Sequence, residues 1–328
     1  MKRFFSITAI LVFSFFASGS LFAHSYTPIQ ISLVPGLAFP FGFSDAGISL
    51  GSIGNISGRV DLLQAAGVFN IAEDIRGIQA AGVFNIAEDR YAPIQAAGVF
   101  NIAKGIRGFQ AAGVFNISGD LQGAQVSPVF NVAEDVDGFQ VGLINIADRV
   151  RGIQIGLINI SSNGVFEIGS SWDSQTEFVY GTLKTGNTSI FGVYSVAMPR
   201  DDLFKVSDRM ILSAGLGTRV GDSRSLSLDL SVSVSQEVGP DTGLFLDAWA
   251  CRNGLTPMDV LAPWPTLDAA LSFRMGGLRL TGGVRSDIYL ESTLNNLPSG
   301  LQKGMRYSAT WFGESFTAWT KWYIGFGF

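Results

Sequence analysis

The sequence predicts an all-β protein: an antiparallel transmembrane β-barrel of about 12 strands, with an inserted short β-solenoid of about 15-residue repeats. Three observations lead there. One short motif recurs seven times between residues 64 and 161 at a nearly fixed period. After residue 164, apolar and polar residues alternate with period two in segment after segment. The chain also opens on a leader of charged, then apolar, then small residues.

The leader comes first. Lys2 and Arg3 precede an apolar run, Phe4 to Phe16, and then Ala17-Ser18-Gly19-Ser20-Leu21-Phe22-Ala23. Residues 1–23 read as a signal peptide cleaved after Ala23, because the run is shorter than the roughly 20 residues a spanning helix needs. The protein is therefore expected to be exported to the outer membrane. Cys251 is the only cysteine, which excludes an intrachain disulfide. With 47% apolar and only 15% charged residues the chain is too apolar to be disordered. Its net charge of −5, with no basic block, argues against nucleic acid as a partner.

Residues 24–59 are expected to supply the first barrel strand or strands and lead into the repeats. Pro28–Pro40 sets Ile29, Ile31, Leu33, Leu37 and Phe39 against Gln30, Ser32, Val34, Gly36 and Ala38, and would close against the last strand. A weaker candidate lies at 46–56.

The repeat region covers 60–161. Its Gln column is Gln64, Gln79, Gln95, Gln110, Gln125, Gln140 and Gln154; its Asn column is Asn70, Asn85, Asn101, Asn116, Asn131, Asn145 and Asn159. In parallel in-register stacking, identical residues lie about 4.8 Å apart and amides form hydrogen-bonded ladders. Fifteen residues at about 3.3 Å each make a perimeter of roughly 50 Å, enough for a narrow coil. The last two copies lose one residue between Gln and Asn, beside the small residues expected to bend (Ala65-Ala66-Gly67 in the first copy). A bend tolerates such a loss; a continuous strand would have its side chains flipped to the other face. The charged corners (for example Glu73-Asp74 and Glu134-Asp135) read as a solvated edge in preference to a Ca²⁺ site, since Lys104, Gly105, Gly119 and Arg149 interrupt the acidic columns. The rival reading makes each copy a membrane strand, giving one larger barrel of about 18 strands.

Residues 162–328 read as the C-terminal barrel. Leu226, Leu228, Leu230, Val232 and Val234 oppose Ser225, Ser227, Asp229, Ser231, Ser233 and Ser235. Arg274, Arg279, Arg285, Asp268 and Asp287 fall on polar faces, where they would line a lumen as a charge network or fill a small closed one. Ten strand candidates follow the repeats: 164–173, 177–185, 188–198, 209–220, 224–236, 242–251, 266–275, 277–290, 304–313 and 315–328. Trp172, Trp249, Trp264, Trp311, Trp319 and Trp322 all lie here, mostly near strand ends, as in an interfacial girdle. An even number of strands after the repeats would leave the repeats on the periplasmic side, with the C-terminus.

Two resemblances add to this. The final segment, with Trp322, Ile324, Phe326 and Phe328, resembles the C-terminal signature of bacterial outer-membrane barrels, which implies the barrel-assembly machinery as a partner. The Gln-x-Gly-Leu-x-Asn-Ile core (Gln140–Ile146, Gln154–Ile160) resembles the surface-repeat outer-membrane proteins of leptospires and other spirochaetes. That family departs from this chain by lacking the extra Ala of the first four copies. It implies a surface location and carries over no catalytic residue.

The only histidine is His24, so no Ser-His-Asp, Cys-His or histidine metal site is available. No catalytic residue, metal or cofactor is expected. The expected function is non-catalytic: an outer-membrane surface protein whose amide-rich repeat face serves adhesion, binding or structure, with membrane lipid as one partner and an unspecified host or envelope ligand as another. A porin-like channel is the alternative.

Overall fold

A computed structural model describes residues 25–328 apart from 36, 42–44, 89–91, 174, 177, 201–209, 222–224, 239–262, 291–303 and 312–313. The predicted signal peptide, His24 and the strand candidate at 242–251, with Trp249 and Cys251, lie outside the described residues. The chain divides into two units, residues 1–127 and 128–328. The fold is a β-solenoid of about nine turns and a closed eight-stranded antiparallel barrel.

Among the described residues the first unit is solenoid. Its strands are β1 (Tyr26–Val34), β2 (Leu37–Phe39), β3 (Asp45–Gly51), β4 (Gly54–Ala66), β5 (Phe69–Ile75), β6 (Ile78–Ala81), β7 (Phe84–Ala87), β8 (Ala92–Ala97), β9 (Phe100–Ala112) and β10 (Phe115–Val126). Successive turns pair in parallel and in register, so Phe69 lies on Phe84, Asn70 on Asn85 and Gln79 on Gln95. The short β2 folds back antiparallel on β1. Each turn has a tight bend after its small residues, at 67–68, 82–83, 98–99 and 113–114.

The second unit begins with more solenoid, β11 (Phe130–Val141), β12 (Ile144–Ile155) and β13 (Ile158–Ile160), again in parallel register. The residue missing from the last two copies is the one that ends the strand just before the bend: Gln64-Ala65-Ala66 precedes the bend 67–68, whereas Gln140-Val141 precedes 142–143 and Gln154-Ile155 precedes 156–157. At the charged corner the strands run on through a glycine of positive φ: Gly108 and Gly123 in the first unit, Gly138 in the second. There the backbone takes a conformation that L side chains resist.

The barrel follows: β14 (Val165–Asp173), β15 (Phe178–Gly186), β16 (Phe191–Pro199), β17 (Met210–Gly221), β18 (Leu226–Val238), β19 (Trp264–Met275), β20 (Leu278–Leu290), β21 (Met305–Trp311) and β22 (Glu314–Gly327). Neighbours pair antiparallel, and β14 closes the ring against the end of β22. The start of β22 carries β21 on that same edge. At one end the connections are all short (187–190, 222–225, 276–277); at the other lie the long ones (200–209, 239–263, 291–304) together with the short 174–177. The repeats lead into β14 at the short-connection end, since Val165 pairs with Gly186.

The closed ring thus has eight strands where the sequence suggests about 12. Pro28–Pro40 and residues 46–56 belong to the solenoid, because β1 and β3 pair in parallel with each other and β3 with β4. They are not barrel strands, and the coil starts before residue 60. The candidate at 304–313 is β21, outside the closing pair. The 18-strand rival fails because the repeats pair in parallel, whereas consecutive barrel strands pair antiparallel.

Candidate functional site

Each solenoid turn buries few side chains. Counting from the Asn, the inward positions are the Asn itself, a small residue two later (Ala72, Ala103, Ser118, Ala133), an aliphatic five later (Ile75, Ile106, Leu121, Val136) and the Gln nine later. Thirteen of the fourteen ladder amides are at most 2% exposed, and Gln154 is 4% exposed. A buried amide is costly unless its donors and acceptor are matched. Stacking matches them. In the first unit Asn55 donates to Asn70 at 3.0 Å, Asn70 to Asn85, Asn85 to Asn101 and Asn101 to Asn116, each at 2.9 Å. In the second, Asn131 donates to Asn145 and Asn145 to Asn159 at 3.0 and 2.7 Å. The second Asn proton goes to backbone, as from Asn70 to the Ala80 carbonyl at 2.6 Å.

The Gln column runs the other way. Gln79 donates back to Gln64, Gln95 to Gln79, Gln110 to Gln95 and Gln125 to Gln110, at 2.7–2.8 Å, and Gln154 donates to Gln140 at 2.8 Å. Consistent with these opposed directions, the unused acceptors sit at the column ends: Asn55 Oδ1 and Gln154 Oε1 have no hydrogen-bond partner among the described residues. The two columns are therefore the interior of the coil. They do not form the outward amide face the sequence suggests.

Outward positions are apolar. Phe69, Phe84, Phe100 and Phe115 stack ring on ring, 4.9–5.2 Å apart and within 9° of parallel. This column went unread in the sequence, although Phe stands directly before Asn in each of those copies. Charge is confined to the corner, where ions pair between turns: Arg149 with Asp135 at 2.6 Å, Arg151 with Asp137 at 3.6 Å, and Lys104 with Glu88 at 3.7 Å. The corner is thus an exposed ion-paired edge.

In the barrel the partition is equally sharp. Leu226, Leu228, Leu230, Val232 and Val234 face outward and are exposed, as are Leu267, Leu271, Phe273, Leu280, Trp322, Ile324, Phe326 and Phe328. Polar partners face inward, as their alternation requires. Arg219 grips two acids, Asp229 at 2.6 and 2.8 Å and Glu167 at 2.8 Å through both outer nitrogens. Lys184 joins Asp229 at 2.6 Å, and Arg279 joins Glu167 at 2.9 Å. Further along, Arg285 meets Asp268 at 3.1 Å and lies 4.0 Å over the Tyr180 ring. Tyr323 donates to Asp268 at 2.7 Å. Lys321 reaches Asp287 at 2.8 Å, and Thr266 and Trp264 donate to the same carboxylate. Of the expected lumen charges, Arg279, Arg285, Asp268 and Asp287 are in place. Arg274 instead bonds the Gly276 carbonyl at the turn, 3.1 Å away. Asp229 also lies inward, on the polar face read for its strand, whereas Glu167, Lys184 and Arg219 were missed; each sits on the polar side of an alternating strand. A cavity of about 80 Å³ remains between the side chains, room for a few waters.

Within the second unit the last solenoid turn is fastened to the barrel wall. Thr185 accepts from the Asn159 backbone N–H at 2.6 Å and donates to the Asn159 carbonyl at 2.7 Å. Tyr194 donates to the Gly156 carbonyl at 3.2 Å, and Asn187 donates to that of Gly152. Thr185 and Tyr194 point away from the lumen, so this turn covers a patch of the barrel's outer surface.

No protein-family model, curated protein or solved structure matches the chain.

Proposed function

We propose that this chain is a non-catalytic outer-membrane protein in which the barrel is a closed anchor and the solenoid a structural or binding element. The observation that carries this is the inverted partition of the barrel: a continuous apolar belt outside and an ion-paired lattice within. Such a surface is stable where lipid replaces water, and an eight-stranded barrel is narrow enough for side chains to fill. A secreted chain with an aromatic-ended last strand (Trp322, Ile324, Phe326, Phe328) fits delivery by a signal peptide and insertion by the barrel-assembly machinery. The Gln-x-Gly-Leu-x-Asn core supports kinship with the spirochaetal surface-repeat proteins.

Barrels of this kind carry short turns on the periplasmic side and long loops outside. The repeats join at the short-turn end, which favours a periplasmic solenoid. Binding would then concern an envelope ligand, with host ligands left to the long loops. The lattice across the lumen favours an anchor over a pore.

Two measurements test the reading. Purified protein in planar bilayers is expected to give no steady conductance, and an open-channel trace would install the porin-like alternative. Protease added to intact cells is expected to spare residues 60–161 and to cut them only after the outer membrane is opened. Cleavage in intact cells would place the repeats outside.

A further inference from the structure

The solenoid is built inside-out for water. Two of its four inward columns are amides, beside one small and one aliphatic column, while further Val, Phe, Ile and Leu columns stand outward. In the first unit Leu62, Val68, Ile78, Ile94 and Phe109 are exposed; in the second, Val129, Phe139, Leu143, Ile155 and Leu157 are. Charge is strictly segregated. Every Asp, Glu, Lys and Arg between residues 54 and 163 lies three to six positions after the Asn of its turn, from Arg59 and Asp61 to Asp148, Arg149 and Arg151. One edge is ionic and the remaining outward faces hold none. Exposed apolar area of that extent costs about 25 cal/mol per Å² in water, and monomeric proteins rarely leave such patches uncovered.

We propose that the apolar faces of the second unit's solenoid turns, β11 to β13, are covered by lipid acyl chains, so that these turns lie against the membrane with their charged edge turned to the aqueous phase. The inference rests on the reading of the barrel as membrane-embedded and deepens it. Two features select lipid as the occupant. The first is continuity: in the second unit the last turn is bonded to outward-facing Thr185 and Tyr194 of the barrel wall. Its exposed Ile155 and Leu157 therefore extend the apolar surface that the barrel presents. The second is charge placement. A protein partner would accept ionic residues scattered around its rim, whereas hydrocarbon excludes them from every face it touches. The arrangement is that of an interfacial amphipathic element, one polar edge and a wide apolar remainder, made from a coil of strands instead of a helix.

The test uses the full chain, with Cys251→Ser as background, reconstituted into phosphatidylcholine vesicles. Single cysteines at Leu143, Phe139, Asp137 and Leu230 carry an environment-sensitive fluorophore. Lipid-attached nitroxide and aqueous iodide are the two quenchers. Labels at Leu143 and Phe139 are expected to be blue-shifted and quenched several-fold more by the lipid nitroxide than by iodide, as the belt position Leu230 is. The label at Asp137 is expected to show the reverse. Iodide quenching at Leu143 and Phe139, with Leu230 still in lipid, overturns the inference and leaves the barrel reading standing. Protection of Leu143 from both quenchers, with cross-linked pairs of chains, also overturns it and makes a second copy the cover. A water-exposed Leu230 overturns the barrel reading itself, and this inference with it.

Discussion

Replacing Asn85 by alanine tests whether the amide column holds the coil together. Asn85 accepts from Asn70 and donates to Asn101, both at 2.9 Å, and also donates to the Ala96 carbonyl at 2.7 Å. In Asn85→Ala, one Asn70 proton keeps the Ala80 carbonyl at 2.6 Å, and the proton that pointed at Asn85 is left with the Gln64 carbonyl at 3.3 Å. The damage falls on acceptors. Two donated bonds are lost at about 1 kcal/mol each, and the buried Asn101 Oδ1 is stranded at about 1–3 kcal/mol. The sum is about 3–5 kcal/mol, felt mainly by neighbouring turns because a repeat array is stabilised turn by turn. At about 1.4 kcal/mol per decade, amide protection in those turns should fall by two to three and a half decades, roughly 10²- to several 10³-fold. Hydrogen–deuterium exchange on the folded protein in micelles, read on peptides covering 84–87 and 100–112, measures this. Arg107→Ala is the control, since its bond to Gln122 at 3.0 Å is exposed and should matter by about 0.5 kcal/mol or less. Protection in Asn85→Ala equal to that in Arg107→Ala, with the fold intact, would refute the reasoning. The ladder would then contribute no more than a surface contact.

Other expectations follow from the same geometry. Gly123→Ala forces a side chain onto φ +135° and sets its Cβ 2.0 Å from the Gly108 carbonyl. It should destabilise the first unit by about 2 kcal/mol or more, seen as earlier urea unfolding. Arg219→Met removes the cation between Glu167 and Asp229, with its side chain 1% exposed; loss of one partner of a buried pair costs about 3–5 kcal/mol, read as a lower temperature for loss of the compact band in detergent electrophoresis. Leu230→Arg puts a charge on the outer belt. It should cost about 2–4 kcal/mol if that site is near mid-bilayer, measured by reversible folding into vesicles, whereas an unchanged folding equilibrium would place Leu230 in water.

Much of this architecture is legible in the residues. The solenoid can be read because in-register stacking repeats one residue type per column: Gln on Gln and Asn on Asn. The shortened copies reveal the bend, since only there can a residue vanish without moving Asn145 or Asn159 off the column. The barrel's inward and outward sets are equally plain in β18 and β20. What cannot be read locally is partner choice. Pro28–Pro40 has the alternation of a barrel strand, yet β1 pairs with β3 in parallel, a non-local decision that alternation does not encode. Met305–Trp311 alternates too but lies beyond the closing pair. The polarity of the coil is ambiguous for the same reason: period two separates Asn70 from Phe69 without saying which is inside. In the Glu167, Lys184, Arg219 and Asp229 cluster only Arg219 with Asp229 is a local pair, opposed across the β17–β18 hairpin; Glu167 and Lys184 come from β14 and β15 and reach them only when the sheet has curled.

The opposed amide columns bear on how such a coil can lengthen. With one line of carboxamide dipoles aimed toward later turns and the other toward earlier ones, their contributions offset at every level, and no net macrodipole accumulates along the axis. A tandem in-frame duplication of one copy would add a turn whose four buried positions find the same neighbours as before, at unchanged electrostatic cost. Copy number is thereby freed from the constraint that limits stacks of aligned dipoles, and relatives with more or fewer turns are expected to fold by the same rules.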